Sequence, residues 1–338
     1  MKSVYLLLSG GIDSTICSFI LKKIGYIVFC ICFKNTLYKF DCNLNYFIKN
    51  LFYISEKFDL FFNIFNVNKI YSKFVTKKLI NSYKNGDSFN PDIICNKYVK
   101  FGLYFKKHIN NFDYYSSGHY SKIISYIDNF FIKDSIDFYK NQTYFLCNIN
   151  TKILNKLFFP IGSFYKHEVK FLCKYLNLPN YKDKSSKGIC LFDIVKFSNF
   201  ISKYCSSIGN ILYKNNKIIS KYSNLYYLSL GQRLNLNLNR KFKSYIYNKL
   251  NGNIYITNKQ NNLLFKRIFR LKNLNLMPNL FKSNFVLLNS KSNSRSKKLK
   301  CFIVNKSVVF IYPIYLLSKG QFIVFYYDSL CLGGFIVN

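Results

Sequence analysis

The first segment of the sequence that could do chemistry is a glycine-rich turn between an apolar strand and an amphipathic helix. The turn is Ser9-Gly10-Gly11-Ile12-Asp13-Ser14-Thr15, and it follows the unbroken apolar run Val4–Leu8. Glycines let the backbone approach a ligand closely, and the N–H groups at a helix N-terminus favour phosphate. Three hydroxyl side chains add donors, whereas Asp13 would repel a phosphate unless it holds Mg²⁺ or a backbone turn. The turn lacks the lysine of a Walker A loop and the G-x-G-x-x-G spacing, so a simple capped helix start remains an alternative.

Two cysteines stand beside residues that could make a thiol reactive. Cys190 follows Gly188 in a stretch rich in Gly, Ser and Lys, where nearby cations can stabilise a thiolate. Asp92 precedes Cys95 by three residues, which places a candidate general acid or base in the same turn. The chain has eleven cysteines but no C-x-x-C pair, which argues against a zinc ribbon or a thioredoxin-type site. Most of the others are expected to be buried apolar residues. An iron–sulfur cluster held by Cys95, Cys190 and a third thiol is an open alternative.

The elements around the glycine-rich turn alternate between strand and helix. Val4–Leu8 has the continuous apolar character of a strand buried on both faces of a parallel sheet. Apolar residues then recur at helical spacing, Gly25 stands where a C-terminal cap belongs, and Ile27–Phe33 is the next strand. The helical residues are Ile16, Phe19, Ile20 and Ile24. This β-α-β order predicts an open, mostly parallel α/β sheet.

The second part of the chain, from about Ile208, consists of short β-like segments separated by Asn, Lys and Gly. Leu225–Leu230 and Phe322–Tyr327 are examples. Strands this short and frequent predict small β-barrels or sandwiches. We therefore predict an α/β catalytic domain over residues 1–205, a small central domain over 206–259 and a C-terminal β-barrel over 260–338. The polar run Asn289–Lys300 is expected to be an exposed basic loop.

The net charge of +36 favours a nucleic-acid partner, because clustered Lys and Arg release counterions from phosphates. The abundance of Lys, Asn, Ile, Phe and Tyr is also the usage expected of an A/T-biased genome, in which lysine accumulates on surfaces without a role. The longest apolar stretches, such as Tyr26–Phe33, are too short to span a bilayer. No targeting segment precedes the first strand, so a cytoplasmic protein is expected.

The glycine-rich turn resembles the pyrophosphate-binding loop, SGG-x-DS, of the ATP pyrophosphatase superfamily. Members of that superfamily adenylate a carbonyl or carboxylate oxygen and release pyrophosphate. Further segments resemble the bacterial tRNA 2-thiouridylase family in order and spacing over nearly the whole chain. They are Asn90–Phe101, Ser117–Tyr120, Lys140–Leu146, Phe159–Gly162 with Lys166 and Glu168, Ser185–Cys190, Leu230–Arg233 and Gly320–Gly334.

The resemblance implies an adenine nucleotide alpha-hydrolase-like fold, with small central and β-barrel domains after it. It implies a monomer that uses ATP and Mg²⁺, binds no membrane, and acts on the tRNAs for Lys, Glu and Gln. Sulfur would come from a cysteine desulfurase or a relay protein. Cys190 is expected to carry a persulfide, and Cys95 to act as the nucleophile, with a transient Cys95–Cys190 disulfide. Asp92 would be the general acid or base, and the target uridine must be flipped out of its stack.

The resemblance also assigns binding residues. The expected ATP contacts are Leu7, Leu8, Ser9, Gly10, Gly11, Ile12, Asp13, Ser14, Phe33 and Gly118. The expected contacts to tRNA or its target base are Asn90, Pro91, Asp92, His119, Lys140, Asn141, Gln142, Lys291, Arg295 and Gln321.

Four departures from the family pattern affect these contacts. Asn141 replaces an Asp, and Phe33 replaces a Met beside the adenine. The pair Leu7-Leu8 is bulkier than the family's Gly/Ala-Met. The family's C-terminal Arg-Tyr pair is not recognisable, so Lys291, Arg295 or Lys297 would have to rebuild that contact.

Two other functions stay open. One is a degenerate relative that binds tRNA without catalysis, against which the joint presence of Asp13, Asp92, Cys95 and Cys190 argues. The other is a synthetase that amidates a small metabolite. Such an enzyme would need a source of ammonia, and it gives no reason for Cys95 and Cys190.

Overall fold

The computed structural model describes residues 1–35, 41–103, 105, 111–126, 129–182, 197–205, 208–213, 216–223, 228–234, 243–250, 252–258, 261–272 and 286–338. The chain forms two compact units, each assembled from several stretches of sequence. The first contains Met1–Thr76, Pro91–Val195 and Tyr326–Gly333. The second contains Lys77–Asn90, Lys196–Phe325 and Gly334–Asn338.

The first unit is built on a five-stranded parallel sheet in the order β3-β2-β1-β4-β7. Its strands are β1 (Ser3–Leu7), β2 (Ile27–Lys34), β3 (Phe61–Asn66), β4 (Tyr114–Ser117) and β7 (Leu157–Phe158). From Val4 to Leu7 the central strand β1 is apolar, as expected of a strand buried on both faces of a parallel sheet, and Val4 and Leu6 are fully buried. The predicted parallel α/β arrangement is therefore confirmed.

Helices cover this sheet and complete its core. The main ones are α1 (Ile12–Lys23), α2 (Asp41–Phe58) and α7 (Lys166–Tyr175). Ile16 and Leu21 of α1 and Val169 of α7 are fully buried in the same cluster as β1. Helix α1 ends where predicted, since Gly25 just after it takes a φ of 89°.

The remaining helical segments are short. They are α3 (Asn68–Tyr71), a π-helical turn Ser72–Thr76, α4 (Lys77–Lys84), α5 (Pro91–Cys95), a π-helical segment Asn96–Leu103, α6 (Thr143–Leu146) and α8 (Phe197–Ser202). Single 3-10 segments occur at Thr151–Lys156, Pro160–Ser163, Pro179–Lys182 and Asn262–Leu264. A β-hairpin of β5 (Ser121–Tyr126) and β6 (Asn129–Asp134) follows β4.

The second unit contains a five-stranded mixed sheet in the order β10-β11-β12-β8-β9. Its strands are β8 (Ile208–Tyr213), β9 (Ile218–Ser223), β10 (Arg233–Leu234), β11 (Ser244–Leu250) and β12 (Asn253–Asn258). A small core of Ile211, Leu234, Ile246 and Ile256 lies on one face. The prediction of a strand at Leu225–Leu230 is wrong for the part that the structure describes, because Leu228 and Ser229 are outside any strand and Leu230 begins a turn.

Six C-terminal strands form a closed barrel in the order β13-β16-β15-β14-β17-β18, and β13 pairs with β18 to close it. They are β13 (Phe265–Lys272), β14 (Leu287–Lys291), β15 (Leu299–Val304), β16 (Ser307–Tyr315), β17 (Phe322–Tyr327) and β18 (Leu330–Val337). The predicted loop Asn289–Lys300 is shorter than expected, because β14 continues to Lys291 and β15 begins at Leu299. Among the described residues, no helix is long and apolar enough to cross a membrane.

Candidate active site

The glycine-rich turn connects β1 to α1 at the carboxyl end of the central strand, where open α/β sheets bind their ligands. Gly10 has a φ of 72°, which L side chains rarely adopt, and Gly11 caps the helix without any side-chain hydrogen bond to its free N–H groups. These N–H groups remain available for an anion.

The hydroxyl groups of the turn stabilise the turn itself. Ser14 Oγ accepts from the Ser9 N–H at 3.1 Å and donates to the Gly11 carbonyl at 3.0 Å, which also accepts from Thr15 Oγ1 at 3.0 Å. The expectation that these hydroxyls donate to a ligand stays a prediction, because in the structure those of Ser14 and Thr15 donate to the Gly11 carbonyl. Ser14 and Thr15 fix the backbone whose N–H groups would bind the phosphates.

Gly118, at the end of β4, packs against the first turn of α1. A Cβ at this position would lie 2.7 Å from the Ser14 nitrogen and 2.8 Å from the Asp13 carbonyl carbon. No side chain fits there without moving the backbone of the helix start. Gly118 therefore brings the loop after β4 against the glycine-rich turn, and its contact with ATP stays a prediction.

Asn180 is a part of this site that sequence analysis missed. Its side chain is 0% exposed, and Nδ2 donates to the Gly10 carbonyl at 2.8 Å and to Thr15 Oγ1 at 3.0 Å. Asn180 Oδ1 in turn lies 3.4 Å from the Cys173 thiol. One buried amide thus holds both ends of the turn, although 165 residues or more separate it from its partners in sequence.

Asp13 lies between a lysine and a tyrosine. Its Oδ1 accepts from Lys166 Nζ at the start of α7 and from the Tyr120 hydroxyl, the latter at 2.9 Å. The Tyr120 ring is fully buried, and burial together with the charge of Asp13 raises the pKa of its hydroxyl. Lys166 belongs to a segment of the family pattern, but its pairing with Asp13 was not predicted.

Lys140 brings a second cation to the same place. Its Nζ lies 5.8 Å from the centroid of the Tyr120 ring, and Lys166 Nζ lies 5.7 Å from it. Burial lowers the pKa of Lys140, Asp13 opposes that shift, and Lys166 and Lys170 add to it. Three lysines (Lys140, Lys166 and Lys170) thus face two carboxylates (Asp13 and Asp137), an excess of positive charge that an anion would neutralise.

The neighbours of Lys140 in the predicted tRNA contact make structural hydrogen bonds. Gln142 Oε1 accepts from the Tyr120 N–H at 2.9 Å, and Asn141 Oδ1 accepts from the Thr143 N–H at 3.0 Å. The amide oxygen of Asn141 is enough for this bond, so replacing the family's Asp keeps the turn. The first of these bonds ties the segment to the residue that contacts Asp13.

His119 is buried between Phe101 and Phe159, with ring centroids 5.8 and 6.0 Å away. Its Nδ1 lies 2.7 Å from Ser117 Oγ. Burial, with the charges of Lys100 and Lys140, holds the pKa of His119 well below its usual value. The imidazole is consequently neutral at pH 7, so any contact with tRNA would be a hydrogen bond rather than an ion pair.

The predicted thiol site is described on one side only. Pro91 begins α5, Asp92 is half-buried in its first turn, and Cys95 ends it fully buried. Asn90 precedes the helix and is half-buried. Cys190 lies outside the described residues.

The other predicted ATP contacts belong to strands β1 and β2 and the first turn of α1. Leu7, Leu8 and Ile12 have buried side chains, so their backbone is what faces the turn. Phe33 is half-buried two residues beyond Ile31, which pairs with Leu7. The Phe33 ring therefore lies at the carboxyl end of the strands, where the glycine-rich turn begins.

Comparison with known proteins places this geometry in a family. A family model described as "tRNA methyl transferase HUP domain" matches residues 2–194, and one described as "Aminomethyltransferase beta-barrel domain" matches 266–337. The tRNA-specific 2-thiouridylase MnmA of Buchnera aphidicola subsp. Acyrthosiphon pisum is 31% identical over 100% of this chain and 97% of its own. That of Mycoplasmopsis synoviae is 30% identical over 100% and 95%, and that of Chlamydia trachomatis serovar L2 is 29% identical over 100% and 98%. The chain belongs to the tRNA-specific 2-thiouridylase family.

The C-terminal residues expected to contact tRNA in this family differ in exposure. Arg295 and Lys297 are exposed in the turn after β14, whereas Lys291 is only 8% exposed within β14. Gln321 Nε2 donates to the Ser292 carbonyl at 3.0 Å. The expectation that Lys291 belongs to an exposed loop is wrong, because the strand extends through it.

The described residues contain no cluster of three His, Cys, Asp or Glu side chains that could hold a metal ion. Asp13 is the carboxylate that the glycine-rich turn itself supplies.

Proposed function

We propose that the chain is an ATP-dependent tRNA-uridine 2-sulfurtransferase that converts the wobble uridine of tRNA to 2-thiouridine. Membership of the family and the names of relatives that match the chain from end to end support this function. The observation that carries it is the glycine-rich turn Ser9–Thr15, which we call the phosphate turn. Gly118 packs against it, Asn180 holds it by hydrogen bonds, and Lys140 and Lys166 flank it. We further propose that the three predicted domains act together in the cytoplasm as a monomer.

The residues of the turn would bind the phosphates of ATP, and Asp13 is the carboxylate that could help to hold Mg²⁺, which would neutralise phosphate charge. ATP supplies an adenylyl group to the uridine 2-oxygen, which makes that oxygen a leaving group, and pyrophosphate departs. Lys166 can exchange Asp13 for a phosphate oxygen, and Lys140 lies on the other side of the same tyrosine ring. The backbone of Leu7, Leu8 and Ile12 and the ring of Phe33 would contact the adenosine moiety.

Sulfur transfer would then use the two cysteines. The terminal sulfur of a Cys190 persulfide attacks C2 of the activated uridine, and AMP leaves with the original oxygen. The Cys95 thiolate attacks Sγ of Cys190, so the S–S bond to the nucleoside breaks and 2-thiouridine is released. The cysteines remain as a disulfide that a thiol reductant must reopen. Because Cys95 is fully buried, the target base must be flipped out of the anticodon stack to reach it.

Other residues would hold the tRNA. We assign the target base to Asn90, Pro91 and Asp92, with Asp92 as general acid or base. His119, Lys140, Asn141, Gln142, Arg295, Lys297 and Gln321 are the remaining candidate contacts. The tRNAs for Lys, Glu and Gln are the expected substrates, and a cysteine desulfurase or a relay protein is the expected sulfur donor.

Transfer of labelled sulfur to tRNA tests this function. The full chain is incubated with ATP, tRNA and a persulfide donor, and the wobble nucleoside is analysed after digestion. We expect label in 2-thiouridine with the wild type and none with Cys95→Ser or Cys190→Ser. Cys301→Ser is the matched control, because this equally buried thiol lies on barrel strand β15 and has no part in the proposed chemistry. If the wild type binds tRNA but transfers no sulfur, the function is binding alone.

A further inference from the structure

Two aromatic side chains next to Lys140 are exposed without an evident structural role. Phe138 is 76% exposed and Tyr139 is 95% exposed. Their rings contact each other edge to face, with centroids 5.6 Å apart. Burying such rings would be favourable, so an exposed pair on a fixed backbone indicates an interaction surface.

The backbone that carries this pair is held by buried groups. Asp137 is 7% exposed, and its Oδ1 accepts from the N–H groups of Tyr139 at 2.9 Å and Lys140 at 3.1 Å. Its Oδ2 accepts from the Lys166 N–H at 2.8 Å. One carboxylate thus fixes the Phe138–Tyr139 turn to the start of α7, so the aromatic pair is presented in one place.

This place is the edge of the candidate active site. Tyr139 is followed directly by Lys140, which lies over the Tyr120 ring whose hydroxyl binds Asp13. Lys166 and Lys170 lie close enough to act on the charge of Lys140. Exposed aromatic rings beside clustered cations match the chemistry of unpaired RNA, which offers base faces and phosphates side by side. A docking surface for another protein would not require this concentration of lysine.

We propose that Phe138 and Tyr139 form a stacking platform for unpaired bases of the anticodon loop next to the target uridine. This inference rests on the proposed function, and it adds a recognition element that the family's Lys-Asp-Gln contact does not include. Loss of base stacking on an aromatic side chain costs about 1–3 kcal/mol per base, which corresponds to roughly a 5- to 150-fold rise in Kd.

The test is the affinity of the full chain for an anticodon stem-loop RNA, measured by fluorescence anisotropy at several salt concentrations. We expect Phe138→Ala/Tyr139→Ala to raise Kd at least fivefold while the slope of log Kd against log salt stays the same, because stacking releases few counterions. Phe138→Tyr/Tyr139→Phe should keep the wild-type Kd. A stem-loop with an abasic nucleotide beside the target uridine should bind the wild type and the double Ala variant alike.

The control is Phe61→Ala, which removes an aromatic side chain that is 70% exposed. Phe61 begins β3, so it lies at the amino end of the parallel strands, opposite the candidate site, and we expect no change in Kd. If the wild type binds the stem-loop and Phe138→Ala/Tyr139→Ala binds it with the same Kd, the platform is wrong and the proposed function still stands. An unchanged Kd with slower sulfur transfer from the donor would instead assign the surface to the donor protein. Failure of the wild type to bind the stem-loop would overturn both.

Discussion

Replacement of Asn180 by Ala should weaken both the fold and ATP binding. The change removes a buried amide that donates to the Gly10 carbonyl and to Thr15 Oγ1. Two lost hydrogen bonds amount to about 1–3 kcal/mol, and leaving the Gly10 carbonyl unpartnered adds about 1–3 kcal/mol. We expect an unfolding free energy lower by about 2–6 kcal/mol, with much of the loss confined to the turn.

Loss of these hydrogen bonds should also weaken ATP binding, since Gly10 and Thr15 flank the N–H groups that would bind phosphate. If ordering the turn on binding costs about 2 kcal/mol of free energy, the Kd of ATP rises roughly 30-fold. Isothermal titration calorimetry gives this Kd, and urea unfolding with and without ATP gives the stability. Thr15→Val removes the other partner of the same bond. The double variant should therefore lose less than the sum of the single changes, because residues that share a hydrogen bond are not independent.

Asn148→Ala is the control for general damage to the first unit. Asn148 is also buried, and its Oδ1 has no hydrogen-bond partner in the described structure, so its loss should not alter the phosphate turn. If Asn180→Ala folds and binds ATP within twofold of the wild type, Asn180 does not position the turn and the reasoning fails.

Three further variants test neighbouring parts of the site. Gly118→Ala should reduce ATP affinity at least tenfold in calorimetry, because its Cβ would lie 2.7 Å from the Ser14 nitrogen; wild-type affinity would show that the loop yields freely. Lys166→Met should raise the Kd of ATP about tenfold and lower the unfolding free energy by only about 1 kcal/mol, because the ion pair with Asp13 is partly exposed; a lower stability with an unchanged Kd would assign Lys166 a purely structural role. The depressed pKa of His119 means that the unfolded chain takes up its proton first, so stability falls as pH drops below about 6.5. His119→Gln should remove part of that acid-side slope in urea titrations, and an unchanged slope would contradict a buried neutral His119.

The parts of the fold that could be predicted are those fixed by local sequence. Strand β1 has an apolar run because it lies in the middle of a sheet, and α1 follows from helical spacing ended by Gly25. In contrast, strand β13 (Phe265–Lys272) mixes Lys and Arg with apolar residues, and most of its side chains are exposed. Its strand character comes from pairing with β16, which no local pattern reveals. Lys291 was misjudged for the same reason.

The candidate site shows the same limit more sharply. Its turn is local and could be predicted, but the groups that fix it come from four distant segments. Gly118 follows β4, Lys140 lies in the turn after β6, Lys166 begins α7, and Asn180 lies in the 3-10 turn after that helix. Each makes its contact through a single atom or a missing Cβ, and neither leaves a periodic pattern in the sequence.

Asn180 would also link the two chemical steps of the proposed mechanism, activation of the uridine and transfer of sulfur. Asn180 holds the phosphate turn, and it stands ten residues before Cys190 in the sequence. Ten residues span at most about 35 Å, so the Cys190 persulfide of the proposed mechanism would stay within that distance of the residue that shapes the predicted ATP site. Activation of the uridine and delivery of sulfur would then share one anchor. Variants at Asn180 should accordingly change sulfur transfer by more than their effect on ATP affinity alone, even at saturating ATP. If saturating ATP fully restores transfer by Asn180→Ala, the anchor serves nucleotide binding only.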